Sequence, residues 1–237
     1  MWVAPERRGC VDAAVLLGDL ALAWSDELLH TAGLGADRFA AATVVLDGMR
    51  TELLYGQYLD LLVSGRPSAD LDAALRIARY KSAKYTVERP LQLGAVLAGA
   101  DAGVCAALSA FGLPLGEAFQ LRDDLLGVFG APAATGKSNL DDLRTGKPTA
   151  LVALALTYAT ASQRRTLHAL LGDPALDEED AAVIRDLLVV TGARTAVEDL
   201  IRTRHTQALA ALDDAALPLA ATTALREFAD AAAMRSA

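Results

Sequence analysis

The chain has little cysteine: Cys10 and Cys105 stand apart among 237 residues, in no CxxC spacing. Two such thiols build neither a disulfide framework nor a thiolate metal cage, and a reducing, cytoplasmic setting is expected. Aromatic residues make up only 5%. The apolar content is carried by Ala and Leu, strong helix formers, while the β-branched and aromatic residues that fill sheets are scarce. Positive charge is also short: the formal net charge is −8 and the pI about 4.9. Such a surface repels a phosphate backbone, so nucleic acid is excluded as a general partner. Residues 1–8 show no apolar stretch behind a basic end, so no secretory leader is expected. The longest apolar runs, such as Ala150 to Leu156, fall short of a membrane span.

What is present is helical periodicity. Hydrophobic residues reach 53%, enough for a sizeable core. An apolar stripe with Val15, Leu16, Leu20 and Leu22 predicts a helix over 12–29, ended by Gly33 and Gly35. Further helices are predicted over 37–63 and from Ser68 to Val87, with Arg89-Pro90 ending or kinking the latter. A buried central helix is predicted over 91–111, broken at Gly112-Leu113-Pro114, and another from there to Phe129. After the irregular stretch 130–148, helices are expected at 149–160, 162–171, 177–190, 192–213 and 217–235. No repeat, linker or low-complexity tract divides the chain, so one all-α domain is expected over 1–237.

Two adjacent carboxylates, Asp123 and Asp124, lie in an otherwise apolar helical stretch with Phe119, Leu121, Leu125, Leu126 and Phe129. Buried carboxylates are costly unless paired or metal-bound. Gln120 shares their face. An ion pair with Arg122 or a capping role fits the pair as well as a metal does. The following loop then supplies Lys137, Asp141, Asp142, Arg144 and Lys147, with both lysines preceded by glycine. Carboxylates, a hard cation and glycine-flanked lysines together suit a metal-bridged phosphate; a solvated loop is the alternative for any one of these residues. Lys81 and Lys84, three apart on an apolar helix, are either a further cationic spot or snorkelling surface lysines. Gln57 is a polar group in an apolar context. The segment GAPAATGKS has five residues between its glycines and follows a helix, so it is not a nucleotide-binding P-loop.

FQLRDDLLGVFG followed by TGKSNLDDLRTGKPTALVALAL closely resembles the second aspartate-rich region of the trans-isoprenyl diphosphate synthases. KSAKYTVERPLQLGAVLAGA resembles the preceding lysine-containing segment, particularly of actinobacterial geranylgeranyl-type enzymes, and AAVLLGDLALAWSDELL and GQYLDL are similar to two further stretches in the same order. The resemblance implies an isoprenoid synthase-type bundle of antiparallel helices around a central cavity, cytoplasmic and homodimeric. It implies a Mg²⁺-dependent prenyltransferase that ionises an allylic prenyl diphosphate and alkylates isopentenyl diphosphate. Asp123 and Asp124 would hold the metal. Lys81, Lys137 and Lys147 would hold the diphosphate, and Gln57 and Gln120 would line the cavity near the reacting carbons with Lys81.

The chain departs from that pattern in two places. Gly127 stands where the family's DDxxD motif has its last aspartate, so weaker metal binding is expected. The family's first aspartate-rich motif precedes the AAVLLGDL stretch, before which only about twelve residues are found here; neither Asp26-Glu27 nor Arg7-Arg8-Gly9 replaces it. The expectation is a chain lacking the first helices of the fold, impaired in elongation. The alternatives are a non-catalytic subunit docking on a full-length synthase, and a diverged enzyme ionising a prenyl diphosphate in the manner of a terpene cyclase.

Overall fold

The computed structural model describes residues 5–130 and 139–233, with side chains from residue 12 onward. Among them the regular structure is entirely helical. In chain order come α1 (Pro5–Thr31), α2 (Ala36–Val63), α3 (Leu71–Ala78), a π-helical segment (Arg79–Glu88) and α4 (Arg89–Ala98). After these come α5 (Ala102–Phe129), α6 (Asp141–Arg144), α7 (Ala150–Tyr158), α8 (Ala161–Leu170), α9 (Glu178–Val190), α10 (Ala193–Asp213) and α11 (Leu219–Ala233).

Most boundaries follow from local chemistry. The side chains of Asp70, Asp101, Thr149 and Asp177 each accept a hydrogen bond from a first-turn amide, satisfying donors that a helix start leaves orphaned. Thr160 and Gln163 form a reciprocal capping box at the start of α8.

The central helix differs from the sequence expectation. The break falls at Gly99, which caps α4 with φ of 81°, and Asp101 starts a new helix that runs through Pro114 to Phe129. Proline removes one internal bond, but packing on both sides of α5 outweighs that loss. The resulting 28-residue helix is long and apolar enough to cross a membrane by length and composition, although Glu117, Arg122, Asp123 and Asp124 interrupt it. Its inward positions Phe111, Leu115, Ala118 and Leu121 are buried in the protein core. Pro90 does not break the chain either. It enters the first turn of α4, where a missing N–H costs nothing, and the Arg89 amide donates back to the Lys84 carbonyl, five residues earlier.

The π segment is gripped from two sides. A Cβ on Gly56 of α2 would lie 2.6 Å from the Tyr80 carbonyl carbon, and one on Gly116 of α5 would lie 2.6 Å from Ala83 Cα. Backbone therefore meets backbone at both faces. Beyond it, α5 packs against α10, and α11 closes over both. One cluster of core residues joins α5 to α7, α9 and α10 through Leu121, Leu125, Leu151, Leu156, Ile184 and Val197. Another joins Val87, Phe111 and Leu115 to Leu212 and Ala229.

Among the described residues the N-terminal stripe stays exposed. Val15, Leu16 and Leu17 are 59%, 68% and 63% exposed, and Trp24, Leu28, Leu54, Tyr58 and Leu61 extend the apolar surface along α1 and α2.

Candidate active site

A pocket of about 160 Å³ opens where α2, α3, the π segment, α5 and the loop before α7 meet. Asp60, Lys81, Gln120, Asp123, Asp124 and Lys147 line it with polar groups; Ala74, Ile77 and Ala78 of α3 supply an apolar wall. Four elements distant in sequence thus deliver carboxylates and ammonium groups to one point.

Asp124 is the most enclosed of these, at 5% exposure. Its Oδ1 accepts from the Gln120 amide at 2.8 Å and from Lys147 Nζ at 3.2 Å. Burial pushes the Asp124 carboxyl above its usual range; Lys147 and Gln120 oppose that shift, and Asp142 adds to it. Lys147 is held above the ordinary lysine range, because Asp124, Asp142 and Asp123 outweigh its burial. Asp123, next to Asp124 on the helix, faces the pocket and is exposed.

Lys147 is placed by the backbone before it. Gly146 adopts φ of 59° and lies against Gly172, where a Cβ would come within 3.0 Å of the Gly172 Cα. The Lys147 amide donates to the Asp142 carbonyl at 3.1 Å, and its Nζ reaches Asp142 Oδ2 at 3.4 Å. Lys81 enters from the π segment and pairs with Asp60 Oδ2 at 2.5 Å.

Several residues singled out in the sequence are thereby sorted. Gln120, Asp123, Asp124, Lys81 and Lys147 converge on the pocket. Gln57 is exposed on α2 and is not among the lining residues; Asp60, three residues further on, is. Lys137 lies outside the described residues. Arg122 turns away to pair with Glu198 at 2.7 Å, so it is not the partner of the aspartates. Arg144 Nε donates to the Leu176 carbonyl, a structural tie. Lys84 diverges from Lys81 and binds Glu52 and Glu88 at 2.9 and 3.0 Å; the wider π turns take residues three apart off a common face. Asp60 carried no weight in the sequence reading, although a carboxylate among Leu59, Leu61 and Leu62 was a signal of the same kind as Asp123-Asp124.

Mg²⁺ prefers oxygen donors and is commonly held by one or two carboxylates plus substrate phosphates, not by a protein cage. Asp123 and Asp124 supply such donors. The Lys147 ammonium between Asp124 and Asp142 marks a point where the protein already holds positive charge. Among the described residues no three His, Cys, Asp or Glu side chains group as a metal site.

Comparison with known proteins agrees with this geometry. A family model described as polyprenyl synthetase matches residues 7–188. Over 184 residues the chain is 33% identical to a (2E,6E)-farnesyl diphosphate synthase of Mycobacterium tuberculosis, covering 76% of this chain and 50% of that protein. It is 34% identical over 206 residues to a geranylgeranyl diphosphate synthase of the same organism, covering 86% and 58%. A Corynebacterium glutamicum geranylgeranyl pyrophosphate synthase, solved with isoprenyl diphosphate and magnesium, superposes with a TM-score of 0.93 at 40% identity. That match covers 100% of this chain and 66% of the other. The chain thus spans about half the length of the first of these curated relatives. With its all-helical architecture and a match over most of its length, the chain belongs to the polyprenyl synthetase family, the trans-isoprenyl diphosphate synthases.

Proposed function

We propose that this protein is a Mg²⁺-dependent prenyltransferase that condenses an allylic prenyl diphosphate with isopentenyl diphosphate. The observation that carries the reading is the pocket lined together by Asp123, Asp124, Lys81, Lys147 and Gln120. Departure of a diphosphate leaving group requires positive charge fixed where negative charge develops. Bound to Asp123 and Asp124, Mg²⁺ would supply Lewis-acid compensation of the diphosphate oxygens.

The remaining work falls to this chain's own groups. Lys147, kept protonated by its carboxylate neighbours, offers an ammonium to a diphosphate oxygen. Lys81 does the same from the π segment by exchanging its bond to Asp60. Gln120 fixes Asp124 in place through its amide. The apolar wall of Ala74, Ile77 and Ala78 suits the hydrocarbon of the allylic substrate and excludes water from the reacting carbon. Lys137 completes the proposed set of substrate-binding residues, and Asp60 takes the lining place on α2 first given to Gln57. A geranylgeranyl-type product is the reading favoured by the 40% identity to the Corynebacterium glutamicum geranylgeranyl pyrophosphate synthase, with a farnesyl-type product as the alternative that the Mycobacterium farnesyl diphosphate synthase suggests.

A second reading, as a partner subunit, is favoured by the apolar surface of α1 and α2, which is exposed among the described residues. Contiguous apolar patches of this sort mark interaction surfaces. They suit a second copy of this chain or a full-length synthase, in the reducing cytoplasmic setting that the cysteine usage suggests.

The test is incubation of the purified chain with Mg²⁺, isopentenyl diphosphate and dimethylallyl, geranyl or farnesyl diphosphate in turn, beside an Asp123→Ala, Asp124→Ala control. A longer prenyl product lost in the control supports the catalytic reading. Product that persists in the control refutes the placement of the metal. Mg²⁺-dependent diphosphate binding without product favours the partner subunit.

A further inference from the structure

Among the described residues six glycines have positive φ, and three of them meet although they belong to separate loops. They are Gly65 after α2 (φ 72°), Gly146 before α7 (59°) and Gly172 after α8 (88°). A Cβ on Gly146 would lie 3.0 Å from Gly172 Cα, 3.3 Å from Gly172 N and 3.3 Å from Gly65 Cα. These neighbours are backbone atoms, which cannot swing aside as the end of a side chain can. The Leu143 carbonyl ties two of the loops together, accepting from the Gly146 amide at 3.1 Å and from the Gly172 amide at 2.9 Å. Arg144 Nε adds a bond to the Leu176 carbonyl at 2.9 Å in the same turn. Two of the loops lead directly to groups of the pocket. Lys147 follows Gly146, and Asp60, the partner of Lys81, lies five residues before Gly65 on α2. The turn that carries Gly172 contributes none of the residues lining the pocket, yet its backbone is packed as closely as theirs.

We propose that Gly172 is a positioning residue for the active site: with Gly65 it forms a backbone junction on which Gly146 is seated, and the junction fixes where the Lys147 ammonium stands. The inference rests on the reading of the pocket as a Mg²⁺–diphosphate site. Lysine carries its charge on a flexible stem, so a point in space is specified only when the backbone beneath is held. Lys147 Nζ lies 3.2 Å from Asp124 Oδ1, and a shift of about 1 Å takes that contact out of hydrogen-bond range. The left-handed conformation at Gly172 is what brings its chain so near, and an L side chain is disfavoured there. A substitution at 172 therefore moves the amide off the Leu143 carbonyl and the Cα off Gly146, and Lys147 moves with them. The turn between α8 and α9, outside the pocket, thus sets the affinity of the site.

The test is Mg²⁺-dependent binding of inorganic pyrophosphate to the 237-residue chain, measured by calorimetry well below each variant's thermal unfolding midpoint. Gly172→Ala is expected to weaken binding by about ten-fold, the lower end of what a hydrogen bond to a charged group contributes. Gly192→Ala is the control. Its φ of 83° brings a similar backbone cost, with nothing near its Cβ and no place in the junction, so it should bind as wild type does. The dependence on Lys147 is read from a double-mutant cycle. Lys147→Gln keeps a donor beside Asp124 but loses the charge, and should itself weaken binding by about ten- to a hundred-fold. Adding Gly172→Ala to that chain should then weaken binding no further. Wild-type binding in a folded Gly172→Ala variant would overturn the proposal. So would an equal loss in Gly192→Ala, or the same Gly172→Ala loss persisting in the Lys147→Gln chain. If Gly172→Ala fails to fold, Gly65→Ala takes its place: its Cβ would meet nothing, its φ of 72° carries the strain, and wild-type binding there overturns the proposal equally. Wild-type binding in Lys147→Gln would instead refute the underlying reading of the pocket, whatever the junction does.

Discussion

Gly56 offers the sharpest test of how the fold aims its site. It sits within α2, where helix propensity alone makes Gly→Ala stabilising by about 1 kcal/mol. The structure reverses that sign. A Cβ at 56 would lie 2.6 Å from the Tyr80 carbonyl carbon and 2.7 Å from Lys81 Cα. Carbon atoms rest at about 3.5–4 Å, so α2 and the π segment must separate by about 1 Å. The π segment cannot retreat, because Gly116 is just as close to Ala83 on its other side. Forcing a methyl group into such a contact costs about 1–3 kcal/mol, which cancels the propensity gain and leaves Gly56→Ala net destabilising by up to about 2 kcal/mol. Lys81 moves with the backbone, and a displacement of about 1 Å at a positioning group can cost roughly 100-fold in rate. Gly48 on the same helix is the control: its Cβ would meet nothing nearer than the Arg89 guanidinium at 3.7 Å. Gly48→Ala should therefore stabilise by about 0.5–1 kcal/mol. Urea denaturation of both variants, with Mg²⁺-dependent pyrophosphate binding, measures both effects. A Gly56→Ala protein as stable as Gly48→Ala, with unchanged binding, would refute the claim that this contact fixes Lys81.

Other expectations follow from named contacts. Lys147→Met leaves the buried Asp124 carboxylate without its cation, so stability should fall by about 3 kcal/mol, and Asp124→Asn in the same chain should restore most of it; chemical denaturation at neutral pH measures this. Burial pulls the Glu52 carboxyl up, but hydrogen bonds from Arg89 and Lys84 outweigh it and hold the group below its ordinary 4.5. A depressed carboxyl contributes stability above the unfolded value that is lost as pH falls through the folded one. Denaturation midpoints should thus drop as pH is lowered below 4.5, and Glu52→Gln should flatten that drop. Thr160→Ala removes half of the capping box on α8 and should cost about 1 kcal/mol, seen as a lowered unfolding midpoint with binding unaffected. Leu167→Ala, fully buried between α8 and its neighbours, should cost about 2–5 kcal/mol in the same assay.

The sequence by itself determined a great deal here. The Ala- and Leu-rich composition dictates helices, and the starts expected at 162 and 177 fall within a residue of those observed, where the Thr160–Gln163 pair and Asp177 cap α8 and α9; capping is a contact between near neighbours. The adjacent aspartates and the glycine-flanked Lys147 were legible as a site for the same reason: their chemistry is encoded in short spacings. The tertiary structure decided what depends on contacts between distant segments. It moved the break in the central helix from Gly112-Leu113-Pro114 to Gly99, because packing holds α5 straight through its proline. It widened residues 79–88 into a π segment between Gly56 and Gly116, which separates Lys81 from Lys84. It brought Asp60 to Lys81 and left Gln57 exposed one turn away. It also set the Asp142 side chain of α6 against Gly127 of α5. Periodicity records which face of a helix is apolar, and only packing decides what that face meets.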